Sequence, residues 1–273
     1  MTPPGGRGAW MGPDHKALID QLLAALGRDP RVRSVWLSGS FGRGAGDAWS
    51  DVDLTVTAEA QDIAPCLADY HAPRADLPKL VFSQILHGRV LTAITEDWRR
   101  FDLAFLTPEE LPRQDGADLR HLLGDAEGPP PRPPGADPGA AKRVTALVTE
   151  FLRVLGLSPV AVGREEWLVM QQGVELLRKM TVDLMVEEAG LAPAARGAKR
   201  VNPFLTSEQR ALLEALPSPG AERHGLIDAN LAIARLFLTR ARPLAARLGA
   251  EWPEAFERAT REHLRAALSF DLP

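Results

Sequence analysis

The segment "GDAEGPPPRPPGADPGA", residues 124–140, limits what this chain can fold into more than any other feature. Its prolines fix φ and remove backbone donors, so neither a continuous helix nor a central strand can run through it. The stretch reads as a Pro/Gly-rich linker over 124–137 between two unlike halves. A 273-residue chain is long enough for two modest domains with separate cores. The expected division is a loose N-terminus at 1–13, a first domain at 14–123 and a second at 138–273.

The first half mixes periods. "DHKALIDQLLAALG", 14–27, spaces Leu18, Leu22, Leu23 and Leu26 as a helix and ends on Gly27. "VRSVWLSG" is β-rich, and "DVDLTVT" alternates with period two. Residues 61–71 fit a short helix. "KLVFSQILHGRVLTAIT" reads as two strands turning near His87-Gly88, and "RRFDLAFLT", 99–107, as another strand closed by Pro108. This order predicts a small α/β or α+β domain with a mixed sheet. The second half is helical. Residues 163–190 place Trp167, Met170, Val174, Leu177 and Leu184 on one stripe, and helices at 138–155, 206–216, 221–247 and 253–268 complete a bundle of four or five.

Thirty-two basic residues against 36 acidic ones leave a net charge of −4, so no global field attracts nucleic acid. The single cysteine, Cys66, excludes a disulfide framework and a multi-cysteine zinc site, and reads as a small buried residue. The N-terminus lacks the apolar core of a signal peptide, Met11 offers an alternative start, and no run looks suited to span a bilayer. A cytoplasmic protein is expected.

The chemistry concentrates in "WLSGSFGRGAGDAWSDVDLTV", residues 36–56. Residues two apart on a strand share a face, so Asp51 and Asp53 present two carboxylates opposite Val52, Leu54 and Val56. Such like charges repel, and a divalent cation relieves them; Mg²⁺ prefers one or two carboxylates with phosphate oxygens. The glycines at 39, 42, 44 and 46 let backbone N–H groups approach a phosphate, with Ser40 adding a hydroxyl and Arg43 a charge. Asp102, followed by apolar residues in its strand, is the best third carboxylate for a two-ion site. Glu96 and Asp97 read as a turn. The Walker, dinucleotide and EF-hand patterns do not fit. On residues alone, a plain connection followed by a solvated strand face explains the same stretch.

Gly39-Ser40, Gly42 or Gly44, and Ser50-Asp51-Val52-Asp53-Leu54 match the pattern G-S-x-x-x-G…S-D-x-D-L. In this the chain resembles the DNA polymerase β-like nucleotidyltransferase superfamily, and "FDLAFL" resembles the strand bearing its third carboxylate. The motif likeness covers residues 36–106. The layout is similar to the aminoglycoside and lincosamide nucleotidyltransferases, which implies an α+β fold: a mixed-sheet nucleotidyltransferase domain followed by an all-α helical bundle. The resemblance implies transfer of a nucleoside monophosphate, with ATP the expected donor, to a hydroxyl of a small acceptor such as an antibiotic. Asp51, Asp53 and Asp102 would hold two Mg²⁺ ions, Gly39, Ser40, Arg43 and Ser50 would bind the triphosphate, and Asp102 would help deprotonate the acceptor. Adenylylation of a protein partner of the toxin–antitoxin type and a non-catalytic nucleotide-binding module are the rival readings.

In the helical half, Lys179 is a candidate phosphate ligand, and Glu165, Glu166, Glu175 and Asp183 are candidate contacts for a cationic acceptor. The simpler account is a solvated face with i,i+4 pairs such as Glu175–Lys179. "RGAKR", 196–200, reads as an exposed loop, Trp36 and Trp167 as core, and His71, His87 and His121 as surface or turn residues.

Overall fold

The computed structural model describes residues 11–124, 127–131, 139–190 and 201–272. The chain divides into two compact units, 1–134 and 135–273. Most of the expected N-terminal and linker segments, and all of 196–200, lie outside the described residues.

The first unit is built on one mixed sheet of β1 (Val32–Leu37), β2 (Val52–Ala58), β3 (Leu80–Leu86), β4 (Val90–Thr95), β5 (Arg100–Leu106) and β6 (Arg120–Gly124). Their order is β3-β4-β5-β2-β1-β6. Strands β2 and β5 run parallel, and their neighbours pair antiparallel. A parallel pair needs a crossover, supplied here by α3 (Ala60–His71) and the β3–β4 hairpin. That hairpin turns through His87 and Gly88, both at positive φ. Helices α1 (Pro13–Leu26) and α3 pack on one face of the sheet, α1 against β1 and β2 and α3 against β3, β4 and β5. The alternation explains this sidedness. Val52, Leu54, Val56 and Ala58 are fully buried with Leu22, Leu26, Phe101, Leu103 and Phe105, and each large side chain contributes roughly 1.5–3 kcal/mol.

The opposite face carries polar groups. At its inner end Ser34 Oγ and Thr57 Oγ1 share a hydrogen bond of 2.7 Å, and Trp36 Nε1 donates to Ser34 Oγ. Trp36 is buried, as its sequence context suggested, with His121 edge-on to its ring. Strand β6 had no sequence-based expectation. Leu122 and Leu123 are adjacent rather than alternating, and the strand exists because residues 120–124 pair with β1.

The second unit contains α4 (Ala140–Gly156), α5 (Ser158–Gly163), α6 (Trp167–Glu188), α7 (Ser207–Glu214), α8 (Arg223–Leu248) and α9 (Glu254–Leu268). The protein is thus α+β, a six-stranded mixed sheet followed by helices. Val148 and Phe151, Val174 and Leu177, and Ile233 and Phe237 bring α4, α6 and α8 into one core. Phe151 and Phe237 stack there with ring centroids 3.7 Å apart. Two expectations need correction. The helix expected from 163 begins at Trp167, because Gly163 closes α5 and Glu165 takes φ +56°. The segment 140–163 is also long and apolar enough to cross a membrane by composition, with an 18-residue window of mean hydropathy 1.5. In the structure it breaks into α4 and α5, and α4 buries Val144, Val148, Phe151, Leu152 and Leu155 in the helical core.

The entry to β1 is fixed by charge. Arg31 Nε donates to Asp29 Oδ1 at 2.9 Å and its Nη2 to Oδ2 at 2.7 Å, and the same guanidinium reaches Asp69 of α3 at 2.8 Å. The hydrogen bonds from Arg31 hold the Asp29 carboxyl below its usual range, against the opposing effect of burial. The folded-state value is depressed, so this stabilisation is present above about pH 4, the unfolded value. It is lost as pH falls through the folded value. Asp29→Asn should therefore lower Tm at pH 7, and the gap from wild type should narrow steadily as pH falls below about 4. A gap independent of pH would contradict the assignment.

Candidate active site

The parallel register sets Asp53 of β2 directly opposite Asp102 of β5. Both neighbours of each, Val52 and Leu54 or Phe101 and Leu103, are buried on the core side, so the two carboxylates are directed to the other face. Asp51 immediately precedes β2. One carboxylate oxygen from each of Asp51, Asp53 and Asp102 lies within 4.8 Å of the others, and all three residues are half-buried. Residues 49 positions apart in sequence thus meet as one hard-oxygen cluster.

The glycine-rich stretch makes room for it. After β1 the chain enters a one-turn helix, α2 (Gly39–Gly42), while Ser38 N donates to Asp53 O at 2.9 Å. Gly39 has φ +60°, and a Cβ there would lie 1.8 Å from Asp53 Oδ2. Any side chain at 39 would occupy the carboxylate's own space. A Cβ on Gly42 would fall 2.2 Å from the Asp118 carbonyl oxygen and 2.7 Å from that of Leu37. Between these glycines Phe41 is fully buried and pins the turn to the core. Ser40 Oγ is covered yet has no hydrogen-bond partner. A buried hydroxyl without a partner is costly, which suits an atom that meets a ligand.

The other expected residues divide. Arg43 is beside this turn, its Nη1 3.9 Å from Asp118 Oδ1. The Ser50 hydroxyl is engaged within the loop: it donates to Asp47 Oδ1 and accepts from Asp47 N, both at 3.0 Å. Lys179 belongs to the helical unit, where it is largely exposed and its Nζ lies 2.6 Å from Asp183 Oδ2. The expected Glu175–Lys179 pair is replaced by this one, with Glu175 4.0 Å from Arg178. One helical turn offered Lys179 two acids, and the side chain takes the one on its C-terminal side.

Arg100 was not singled out from sequence. It stands two residues before Asp102 on the same side of β5, and its Nη2 donates to Trp49 O at 2.7 Å. The signal was present in "RRFD", where period two places a cation and an acid on one face.

Three convergent carboxylates, a glycine-cleared space against Asp53 and an unpartnered buried hydroxyl together fit a divalent cation of the Mg²⁺ type and an anionic ligand. No protein-family model matches this sequence, and no curated protein sequence matches it. Among solved structures, an aminoglycoside 6-adenyltransferase from Bacillus subtilis aligns over 90% of this chain and 95% of its own, at 14% identity and a TM-score of 0.40. At that score the alignment adds nothing to the site, which stands on its own geometry.

The close approach of Gly39 to Asp53 yields a direct expectation. Gly39→Ala removes no ligand atom, but it should displace the Asp53 carboxylate and strain a left-handed position at a cost of about 1–2 kcal/mol. Mn²⁺ affinity, read by electron paramagnetic resonance, should fall at least about tenfold, the equivalent of 1.4 kcal/mol. Unchanged affinity would mean that Asp53 takes no part in binding the ion.

Proposed function

We propose that this protein is a Mg²⁺-dependent nucleotidyltransferase that moves a nucleoside monophosphate, AMP first among them, from a nucleoside triphosphate to a hydroxyl of a small acceptor. The reading is carried by the convergence of Asp51, Asp53 and Asp102 beside the Gly39-Ser40 turn. The motif G-S…S-D-x-D-L points the same way, and aminoglycosides and lincosamides are the first acceptors to try.

Divalent ions held by Asp51, Asp53 and Asp102 would supply neutralisation of the charge that gathers on the phosphates during transfer. The chain's own groups do the rest. Ser40 Oγ and the backbone around Gly39 and Gly42 bind triphosphate oxygens, and Arg43 adds positive charge. Asp102 orients the acceptor hydroxyl and takes its proton. The acceptor oxygen bonds to the α-phosphorus as the bond from that phosphorus to the bridging oxygen breaks, and pyrophosphate leaves with the electron pair. Lys179 of the helical unit, paired with Asp183, remains a further candidate contact for the triphosphate. We place the protein in the cytoplasm, where nucleoside triphosphates and Mg²⁺ are at hand.

The test is incubation with Mg²⁺, α-labelled nucleoside triphosphates and a panel of aminoglycosides, lincosamides and bacterial lysate. Label on a small molecule is the expected result; label on a protein band would reassign the acceptor to a macromolecule. Asp51→Asn, Asp53→Asn and Asp102→Asn should each abolish transfer, with Tm unchanged or raised because like charges are no longer crowded together. Full transfer by any of them would overturn that residue's role.

A further inference from the structure

Among the described residues, the most exposed large hydrophobic side chains are Trp49, at 85%, and Trp98, at 74%. They occupy corresponding places in the fold. Val52 pairs with Phe101 at the start of the parallel β2–β5 ladder, and each tryptophan lies three residues before its member of that pair. Both therefore leave the sheet at the end where Asp51, Asp53 and Asp102 converge.

Each backbone is held in place. Trp49 N donates to Asp47 Oδ1 at 3.0 Å, and Trp49 O accepts from Arg100 Nη2. Trp98 adopts φ +61° in the β4–β5 turn, its N donating to Thr95 O at 2.9 Å. Thr95 Oγ1 donates to Asp97 Oδ1 at 2.5 Å, and Arg99 pairs with Asp97 at 2.7 Å, which holds the turn in this strained form. A bulky residue at positive φ is retained only where its surroundings enforce it, and such positions gather at functional sites. An indole left in water forgoes the burial that would stabilise it elsewhere. Here two such indoles stand at one edge of the carboxylate site, with the Arg100 guanidinium bonded to the backbone carbonyl of Trp49.

We propose that this aromatic edge receives the nucleobase of the triphosphate substrate, with Trp49 stacking on its face, Trp98 bordering it and Arg100 fixing the Trp49 loop. The assignment rests on reading the three carboxylates as the triphosphate site. Trp49 is two residues from Asp51, a reach of at most about 7 Å along the chain. That is the scale on which one nucleotide's base stands away from its own phosphates. Stacking tolerates any base, since each presents a π-face, so this edge supplies affinity with little discrimination among nucleotides.

Calorimetric titration in Mg²⁺ with two probes separates the possibilities: a non-hydrolysable ATP analogue, and inorganic tripolyphosphate, which has no base. Wild type should bind both. Trp49→Ala should bind the analogue at least about fivefold more weakly and tripolyphosphate as wild type does, while Trp49→Phe should stay within about twofold of wild type on both. Because the Trp49 side chain is exposed, the fold should survive these changes, which Tm checks. Unchanged analogue binding by Trp49→Ala would overturn the stacking role. Equal loss of both probes would overturn it too, showing that residue 49 shapes the phosphate loop. A raised KM for the acceptor with nucleotide binding intact would move this edge to the acceptor. If wild type binds neither probe, the triphosphate reading itself fails, and the base site with it.

Discussion

Strands β2 and β5 lie side by side and parallel, and that pairing sets Asp53 opposite Asp102. The rest of the site follows from this register. Val52, Leu54 and Val56 on one strand and Phe101, Leu103 and Phe105 on the other are fully buried against α1 and α3, which leaves no freedom in the alignment. A slip of one residue would drive Asp102 into the apolar core and bring Phe101 or Leu103 out. The hydrophobic layer thus fixes the polar one. Parallel pairing also requires a long crossover, and α3 with the β3–β4 hairpin supplies it, so the first unit's architecture and its carboxylate cluster have one cause.

The second requirement is empty space. Asp53 can stand where it does because residue 39 has no Cβ, and the turn lies where it does because residue 42 has none. Buried Phe41 between them converts two permissive positions into a fixed one. A glycine-rich sequence is commonly read as flexibility; here it allows close approach of backbone, carboxylate and the unpartnered Ser40 hydroxyl. The same end of the sheet bears Trp49, Trp98 and Arg100, so acidic, cationic and aromatic groups are all positioned by one pair of strands.

Much of this was legible in the sequence because it depends on local period. Alternation placed Asp51 and Asp53 on one face, and the apolar alternation of "FDLAFL" singled out Asp102. What stayed hidden depends on tertiary pairing or on choices among neighbours. Strand β6 has no pattern of its own and is made by β1. Ser50 matches the motif, yet its hydroxyl is engaged with Asp47. Lys179 had an acid on either side, and spacing alone did not show that Asp183 would take it. Helix α5 is a six-residue turn set off by Ser158-Pro159, too short for a hydrophobic period to reveal.

The account stands on the claim that Asp51, Asp53 and Asp102 form one divalent-cation site. Crystals grown with Mn²⁺ and a non-hydrolysable nucleoside triphosphate, measured for manganese anomalous scattering, test it most directly. The account predicts a strong peak, or a close pair of peaks, bounded by oxygens of all three carboxylates and facing the Gly39-Ser40 turn. Saturating Mn²⁺ that leaves no peak among those carboxylates, or places the metal elsewhere, would contradict it.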